Sequence, residues 1–153
     1  MEKSVFITGA TVNTGLGIAE KFAKEGYNLF LGSRNAENAE KTAKELSEKY
    51  GVYAKGYGMK IFDEENTKEI FTDIKNSGYS VDTLVLNAAN LGIRQQFFDV
   101  SIDDFMNVIN TNIGWNFMLS REAAIQMKEN GGGSIVFVNS NTAYRAIPDR
   151  IAY

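Results

Sequence analysis

The chain of 153 residues is 44% hydrophobic and 23% charged, which is enough for one domain with a buried core. A net charge of −3 gives no electrostatic reason to expect nucleic-acid binding. With no Cys and no His, disulfides and thiolate or imidazole metal sites are excluded, and no carboxylate cluster suggests another metal site. The first apolar run, SVFITGA, is too short for a signal peptide or a membrane span, so we expect a cytoplasmic protein without a membrane partner.

The first part of the chain alternates short apolar runs with helical patterns. We predict a buried strand at 4–8 and a helix over 15–26, in which apolar residues recur near helical spacing. A second strand follows at 27–32. Asn35 can cap the next helix, over 36–50, because its side chain can accept a hydrogen bond from a free backbone N–H group.

The alternation continues through the rest of the chain. A weak third strand is predicted at 52–59, followed by a helix over 64–77 that Asp63 can cap. A fourth strand is predicted at 82–87. Ser101 then begins a long helix, whose apolar face we expect to consist of Phe105, Val108, Ile109, Ile113, Phe117, Ile125 and Met127.

The fifth predicted strand, at 131–139, completes a set of five strands separated by four helices. Short apolar strands that alternate with helices indicate a parallel sheet covered on both faces. Since crossovers between parallel strands are right-handed, the predicted fold is α/β with a doubly wound parallel sheet. The sequence contains no repeat or linker, so we expect residues 1–153 to belong to a single domain.

The stretch TGATVNTGLG, residues 8–17, joins the first strand to the first helix. Glycines at such a turn let the backbone approach a pyrophosphate closely, and the start of the helix offers free N–H groups. The spacing, from Gly9 to Gly15 and Gly17, is longer than the compact dinucleotide-binding pattern. The stretch therefore predicts a phosphate-binding loop, with an ordinary glycine-rich turn as the alternative.

The second strand ends near Ser33 and Arg34, where a dinucleotide-binding fold meets the ribose of the adenosine half. An acidic residue at this position favours NAD through the 2′-hydroxyl, whereas a basic one accommodates the 2′-phosphate of NADP. These two residues therefore favour NADP, with NAD as the second choice. The alternative explanation is an ordinary surface Arg.

Three further features lie in the later part of the chain. Small residues after the fourth strand, Asn87 and Ala88, allow a ligand to approach, although a tight turn would use them too. Asn112 is polar among apolar neighbours in mid-helix, where Asn is unfavourable unless it bonds the backbone or serves another purpose. Ser140 ends the fifth strand and Tyr153 follows it thirteen residues later; taken separately, a surface Ser and a buried Tyr would explain them.

Taken in order along the whole chain, these features resemble the short-chain dehydrogenase/reductase family. The stretch TG…GLG is similar to the family's coenzyme loop, and NAAN (87–90) to its Asn-(Asn/Ala)-Ala-Gly turn. Asn112 falls where the family has its helix Asn. GGGSIVFVNS (131–140) resembles the family's fifth strand with the catalytic Ser, and AIPDRIAY (146–153) resembles the approach to its Tyr-x-x-x-Lys motif. The resemblance implies a Rossmann-like sheet with strand order 3-2-1-4-5, whose C-terminal part lies beyond residue 153.

The resemblance also implies hydride transfer between a nicotinamide coenzyme, NADP(H) or NAD(H), and a small carbonyl or alcohol substrate. Tyr153 would be the general acid/base, Ser140 would hydrogen-bond the carbonyl oxygen, and Asn112 would hold a water in the proton relay. The coenzyme would be bound by Gly9, Thr14, Gly15, Leu16, Gly17, Ser33, Arg34, Asn87 and Ala88.

The chain departs from the family pattern at four places. The glycine loop carries two extra residues, as in the family's enoyl-thioester reductase branch, although the spacing from Ser140 to Tyr153 fits ketone reduction better. Lys60 or a neighbour stands where the family often has an Asp that contacts adenine, and Asn90 replaces the last Gly of the turn. No Lys follows Tyr153, and without that cation a free Tyr, with a pKa of about 10, is a poor base at neutral pH.

The leading interpretation is an NADP-preferring carbonyl reductase, such as a 3-oxoacyl-thioester reductase, or an alcohol dehydrogenase. We expect the parent chain to continue with a Lys four residues beyond Tyr153, so that residues 1–153 alone would be inactive, and to form a homodimer or homotetramer. The alternatives are a non-catalytic NADP(H)-binding module and an enoyl-thioester reductase. RQQFF (94–98) could line the substrate pocket, but we favour packing of Phe97 and Phe98 against the next helix.

Overall fold

The computed structural model describes residues 3–153, which contain a five-stranded sheet in which every neighbouring pair of strands is parallel. The strands are β1 (Ser4–Thr8), β2 (Asn28–Ser33), β3 (Ala54–Gly58), β4 (Thr83–Leu86) and β5 (Ser134–Phe137). Their order across the sheet is β3-β2-β1-β4-β5. The predicted α/β fold, doubly wound sheet and strand order are therefore confirmed.

Three helices connect the first four strands. They are α1 (Asn13–Lys24), α2 (Ala36–Tyr50) and α3 (Glu64–Asn76). The predicted caps of the last two are confirmed, because Asn35 Oδ1 accepts the N–H of Asn38 at 2.9 Å and Asp63 Oδ1 accepts the N–H of Asn66 at 2.8 Å. Each cap satisfies a backbone donor that has no acceptor inside its own helix.

The predicted long helix is interrupted. α4 spans Ile102–Ile109, a π-helical segment spans Asn110–Trp115, and α5 spans Asn116–Glu129. The predicted apolar face is partly wrong, because three of its members are half exposed or more: Ile113 at 63%, Phe117 at 64% and Ile125 at 50%. The buried stripe instead runs through Val108, Thr111, Trp115, Leu119, Ala123, Gln126 and Met127. The helical spacing of apolar residues did not reveal this stripe, because two of its buried members, Thr111 and Gln126, are polar.

Helices cover both faces of the sheet, as its buried central strands require. On one face, Phe6 of β1 and Phe30 of β2 pack with apolar residues of α3 and α5. On the other face, Val5, Ile7 and Leu29 pack with α1 and α2. Successive side chains of a strand point to opposite faces, so the same two strands supply both halves of the core.

β4 is followed by an irregular segment that contains a short 3₁₀ turn, Phe97–Asp99. The rings of Phe97 and Phe98 contact each other edge to face, with centroids 5.3 Å apart. These side chains are 66% and 92% exposed, so the prediction that they pack against the next helix is wrong.

The last residues of the chain lie against the irregular segment after β4. Arg150 Nη1 donates to the carbonyl oxygen of Leu91 at 2.6 Å, and the N–H of Gln95 donates to the carbonyl oxygen of Asp149 at 3.1 Å. These two bonds fix the approach to Tyr153. Within residues 3–153, none of the helices has the length and apolar character needed to cross a bilayer.

Candidate functional site

The predicted site residues lie at the carboxyl ends of the strands, along one edge of the sheet. Gly9 follows β1, Ser33 ends β2, Asn87 follows β4, and Ser140 comes shortly after β5. From β1 the chain proceeds through β2 to β3 at one edge of the sheet, and it then returns to β4 on the other side of β1 and continues to β5. The direction of progress across the sheet therefore reverses between β1 and β4. Doubly wound sheets bind ligands outside the carboxyl ends of the strands at such a point. The fold therefore brings the predicted residues to the edge where this architecture holds ligands.

Gly9, Gly15 and Asn87 pack the start of α1 against the loop after β1. Gly9 has a φ of +66°, a left-handed conformation that glycine adopts readily. An ideal Cβ on Gly15 would overlap the carbonyl oxygen of Gly9 and lie 2.7 Å from Asn87 Nδ2, so no side chain fits there. Asn87 Nδ2 also donates to the carbonyl oxygens of Thr8 and Gly9, both at 3.2 Å. We call Gly9, Gly15 and Asn87 the packed corner.

Thr8, the last residue of β1, is a member of the site that the sequence analysis missed. Its Oγ1 accepts the backbone N–H groups of Asn87 and Ala88, each at 3.0 Å, and the residue is fully buried. A buried hydroxyl needs hydrogen-bond partners. A Thr at the end of a buried strand, directly before Gly9, could therefore have indicated that its side chain binds the backbone of a neighbouring loop. Thr8 thereby fixes the position of two predicted ligand-contacting residues.

The amino end of α1 has no capping group of its own. Val12 occupies the N-cap position without a side-chain hydrogen bond, and the first turn contains no acidic residue. An ideal Cβ on Gly17 would meet no heavy atom within 4 Å, so packing inside the protein does not require glycine at this position. Thr14 and Gly17 are exposed, and Leu16 is partly buried. Free N–H groups at the positive end of a helix dipole suit an anion such as a pyrophosphate.

The end of β2 contacts the loop after β1. Thr11 Oγ1 donates to Ser33 Oγ at 3.4 Å, and the N–H of Asn35 donates to the same oxygen at 3.4 Å. Arg34 is exposed and forms no ion pair with any residue between 3 and 153, so its guanidinium is available to a phosphate. Thr11 was not predicted, because its contact with Ser33 depends on the path of the extended loop.

A cavity of about 440 Å³ opens between α5 and the ends of β4 and β5. Asn112, from the π-helical segment, and Tyr153, from the end of the chain, both line it. The structure therefore brings these two predicted catalytic residues into one cavity. Most of the remaining lining is apolar and includes Leu86, Ala88, Ile113, Phe117, Phe137 and Val138.

Ser140, the third predicted catalytic residue, does not line this cavity but lies between two residues that do. Asn139 and Thr142 belong to the lining, and Ser140 Oγ accepts the N–H of Thr142 at 3.3 Å. Ser140 thus begins a short 3₁₀ turn, Asn141–Ala143, at the edge of the cavity. Its catalytic role stays a prediction.

The Asn112 side chain is engaged with the backbone of Asn90, a contact that was not predicted. Asn112 Oδ1 accepts the N–H of Asn90 at 2.8 Å, and Asn112 Nδ2 donates to its carbonyl oxygen at 2.9 Å. The role of Asn112 as the holder of a relay water stays a prediction. Among residues 3–153, no three His, Cys, Asp or Glu side chains are grouped so that they could hold a metal ion.

Comparisons with known proteins agree with this geometry. The family model described as short chain dehydrogenase matches residues 3–153. The chain is 30% identical over 153 residues to the 3-oxoacyl-(acyl-carrier-protein) reductase FabG of Aquifex aeolicus strain VF5, in an alignment that covers 99% of this chain and 60% of that protein. It is 32% identical over 150 residues to the NADP-dependent mannitol dehydrogenase of Alternaria alternata, covering 94% of this chain and 55% of that protein.

A solved structure shares the fold. The alcohol dehydrogenase from the archaeon Thermococcus sibiricus, complexed with 5-hydroxy-NADP, is similar with a TM-score of 0.90 at 28% identity, covering 100% of this chain and 64% of that chain. The chain thus spans 55–64% of the length of these three proteins. Because the family model matches nearly every residue and the sheet order agrees, the chain belongs to the short-chain dehydrogenase family of oxidoreductases.

Proposed function

We propose that this protein transfers a hydride between NADP(H) and a small carbonyl or alcohol substrate. The observation that carries the proposal is the open amino end of α1, which the packed corner holds at the ligand-binding edge of the sheet. The amino ends of α2 and α3 lie at the same edge and are closed by their own side chains. Among these three helices, only α1 leaves its first N–H groups without a side-chain cap.

The residues at this edge fit a dinucleotide coenzyme. The free N–H groups of α1 and the open space above Gly17 suit the pyrophosphate, and the exposed Arg34 suits a phosphate on the adenosine half. We propose that the pyrophosphate is bound by Gly9, Thr14, Gly15, Leu16 and Gly17. We propose that the adenosine half is bound by Ser33, Arg34, Asn87 and Ala88.

We propose NADP rather than NAD as the preferred coenzyme. Arg34 can pair with a 2′-phosphate, and the neighbouring positions Ser33 and Asn35 carry no carboxylate that would repel one. The mannitol dehydrogenase that this chain resembles is NADP-dependent, and the similar alcohol dehydrogenase was solved with an NADP derivative. Titration of the chain with NADPH and with NADH tests the preference, and equal affinity for the two would contradict it.

For the reaction, we propose Tyr153 as the general acid/base and Ser140 as the group that stabilises charge on the substrate oxygen. The bound coenzyme supplies or accepts the hydride. Tyr153 Oη gives a proton to the oxygen that becomes the alcohol, and it takes that proton back in the reverse direction. Ser140 Oγ donates a hydrogen bond to the same oxygen. Asn112 holds a water of the proton relay; its place in the cavity that Tyr153 also lines supports a shared role.

The activity is tested by following NADPH oxidation with a panel of ketones that includes 3-oxoacyl thioesters. The family's Lys is not among residues 1–153, so we expect these residues alone to bind NADPH without turnover. A longer chain with a Lys four residues after Tyr153 should turn over. In that chain, Tyr153→Phe should lower kcat by about 100-fold or more while NADPH affinity is kept.

The same assay separates the other candidate functions. NADPH binding without turnover in the longer chain would replace our proposal with a non-catalytic coenzyme-binding module. Reduction of enoyl thioesters without any ketone reduction would instead indicate the enoyl-thioester reductase.

We also propose that the protein is cytoplasmic and assembles as a homodimer or homotetramer. Support for assembly comes from large apolar side chains that the helical stretch after Ser101 leaves exposed, since exposed apolar surface is typical of interfaces. These residues are Ile102 and Met106, together with Ile113 and Phe117, which also line the cavity. Analytical ultracentrifugation of the longer chain tests the assembly, and a monomer at all concentrations would contradict it.

A further inference from the structure

The helical stretch after Ser101 adopts π geometry at Asn110–Trp115, between α4 and α5. π-helical turns are rare, and those found inside α-helices are frequent at functional sites. This segment contributes Asn112 to the cavity that Tyr153 also lines. A network of Asn side chains connects it to the loop after β4.

The first link of the network joins Asn112 to Asn90. The Asn112 carboxamide binds both the N–H and the carbonyl oxygen of Asn90, at 2.8 and 2.9 Å, and Asn90 Oδ1 accepts the N–H of Gly92 at 2.9 Å. Residues 87–96 have no regular secondary structure, so no strand or helix ladder holds this stretch. The stretch begins with Asn87 and Ala88, which lie at the proposed coenzyme site. The Asn112 side chain therefore anchors a loop whose position matters for binding.

The second link joins Asn116, the first residue of α5, to Asn112. Asn116 Nδ2 donates to the main-chain carbonyl oxygen of Asn112 at 2.9 Å, while the backbone N–H of Asn116 bonds the carbonyl oxygen of Ile113. Only 8% of Asn116 is exposed, and its Oδ1 is buried without a partner among the described residues. A buried acceptor without a partner destabilises the fold, whereas a Leu of similar volume would not. Packing therefore does not explain an Asn here, whereas the bond from its donor end does, and the residue also lines the cavity that Asn112 and Tyr153 share.

We propose that Asn116 is a positioning residue for the site. By binding the carbonyl oxygen of Asn112, it holds the π geometry in which the Asn112 side chain reaches Asn90, and it thereby orders the loop after β4. Through that loop Asn116 raises the affinity for NADPH, a step that rests on the proposed function. Asn116 acts through Asn112 rather than on the coenzyme directly.

The test combines backbone amide exchange at Asn90 and Gly92 with NADPH titration. We expect Asn116→Leu to keep the unfolding temperature of the wild type or raise it, because the unpaired oxygen is removed. Exchange of the Asn90 amide should nevertheless become about ten-fold faster and NADPH binding several-fold weaker, which is the loss expected for one net hydrogen bond. In a chain that already carries Asn112→Ala, the same substitution should change neither value further, since both variants break one network.

Two further variants keep the test decisive. Asn116→Ala removes the N–H donor without burying a charge and only enlarges the cavity that Asn116 already lines, so it should speed exchange at Asn90 even if the Leu variant fails to fold. Ser120→Ala removes another buried and unpaired oxygen one turn further along α5, outside the network, and should leave exchange at Asn90 unchanged.

The proposal is overturned if exchange at Asn90 is unchanged in the Leu and Ala variants, or if the effects of Asn112→Ala and Asn116→Leu simply add. Faster exchange with unchanged NADPH affinity would overturn the link to coenzyme binding. If the wild-type chain binds no NADPH at all, the proposed function fails. In that event the exchange rates still decide whether Asn116 positions Asn112.

Discussion

The amino ends of α1 and α3 lie at the same edge of the sheet, but a side chain caps only that of α3. α3 begins with the Asp63 cap, and its first turn adds Glu64 and Glu65, which complement the positive end of the helix dipole. α1 begins at Val12, which offers no side-chain acceptor, and its first turn has no acidic residue. The sequence thus satisfies the first N–H groups of α3 internally, whereas those of α1 have no side-chain cap, which is the condition that our proposed pyrophosphate site requires.

The largest expected effect comes from filling the packed corner that holds α1 in place. A Cβ at residue 15 would overlap the carbonyl oxygen of Gly9, so Gly15→Ala should lower the free energy of unfolding by about 3 kcal/mol and abolish NADPH binding. Urea denaturation and NADPH titration measure the two effects. Gly17→Ala is the matched control for the denaturation measurement alone, because its Cβ meets no protein atom but enters the space proposed for the pyrophosphate, and an Ala in a helix gains about 0.5–1 kcal/mol over Gly. Wild-type stability in Gly15→Ala would show that the corner can relax.

The next effect comes from giving α1 the kind of cap that α3 has. The backbone of Val12, with φ of −148° and ψ of 159°, already has the extended conformation of an N-cap residue. Val12→Asp should therefore stabilise the free protein by about 0.5–1 kcal/mol. The same carboxylate should weaken NADPH binding about ten-fold by repelling the pyrophosphate, and less so at high salt. Val12→Ala serves as the uncharged control, and unchanged affinity in Val12→Asp would place the phosphates elsewhere.

Removing the cap of α3 gives the converse result. Asp63→Ala leaves the N–H of Asn66 without its acceptor and should lower the free energy of unfolding by about 1 kcal/mol. NADPH affinity should stay at the wild-type value, because this helix end is not part of the proposed coenzyme site. Asp63→Asn, which keeps an acceptor oxygen, should restore most of the stability. A ten-fold loss of NADPH affinity in Asp63→Ala would show that the two helix ends are not independent.

The features that sequence reasoning predicted are those encoded by neighbouring residues. The caps at Asn35 and Asp63 depend on an acceptor side chain three residues before a free N–H group, a spacing that is visible in the sequence. The buried strands appear as short apolar runs, and parallel strands separated by helices allow few topologies. The local glycine spacing likewise placed Gly9 in the loop after β1 and Gly15 at the start of α1.

The features that were missed depend on contacts between distant residues. The contact between Thr11 and Ser33 and the one between Asn112 and Asn90 each span 22 positions and follow from the packing of whole elements. The buried face of the long helix was misassigned because inward positions carry Thr111 and Gln126, while apolar Phe117 is largely exposed and lines the cavity. The π-helical segment leaves no apolar signature, so the position of Asn112 in it could not be read from spacing.

The smallest expected effect concerns the contact that joins the capped helix α3 to the edge strand β3. Asp73 Oδ2 accepts hydrogen bonds from Lys55 Nζ and from Tyr57 Oη, each at 2.7 Å. The hydrogen bond from Lys55 is the larger cause that lowers the pKa of the Asp73 carboxyl, and the hydrogen bond from Tyr57 is the next. Burial is the main cause that raises the pKa of the Tyr57 phenol, and its hydrogen bond to Asp73 is the next. The phenol therefore stays protonated and remains a donor.

A carboxyl whose pKa is lower in the folded state than in the unfolded chain stabilises the fold above its unfolded pKa, about 4 for Asp. That stabilisation is lost as the pH falls through the lowered pKa. Lys55 and Asp73 are 36% and 46% exposed, so solvent limits the contribution to about 0.5–1 kcal/mol. Asp73→Asn should therefore reduce the free energy of unfolding by this amount at pH 7 and by almost nothing at about pH 2, with NADPH affinity unchanged. Urea denaturation at the two pH values measures the difference. An equal loss at both pH values would mean that shape rather than charge holds α3 to β3.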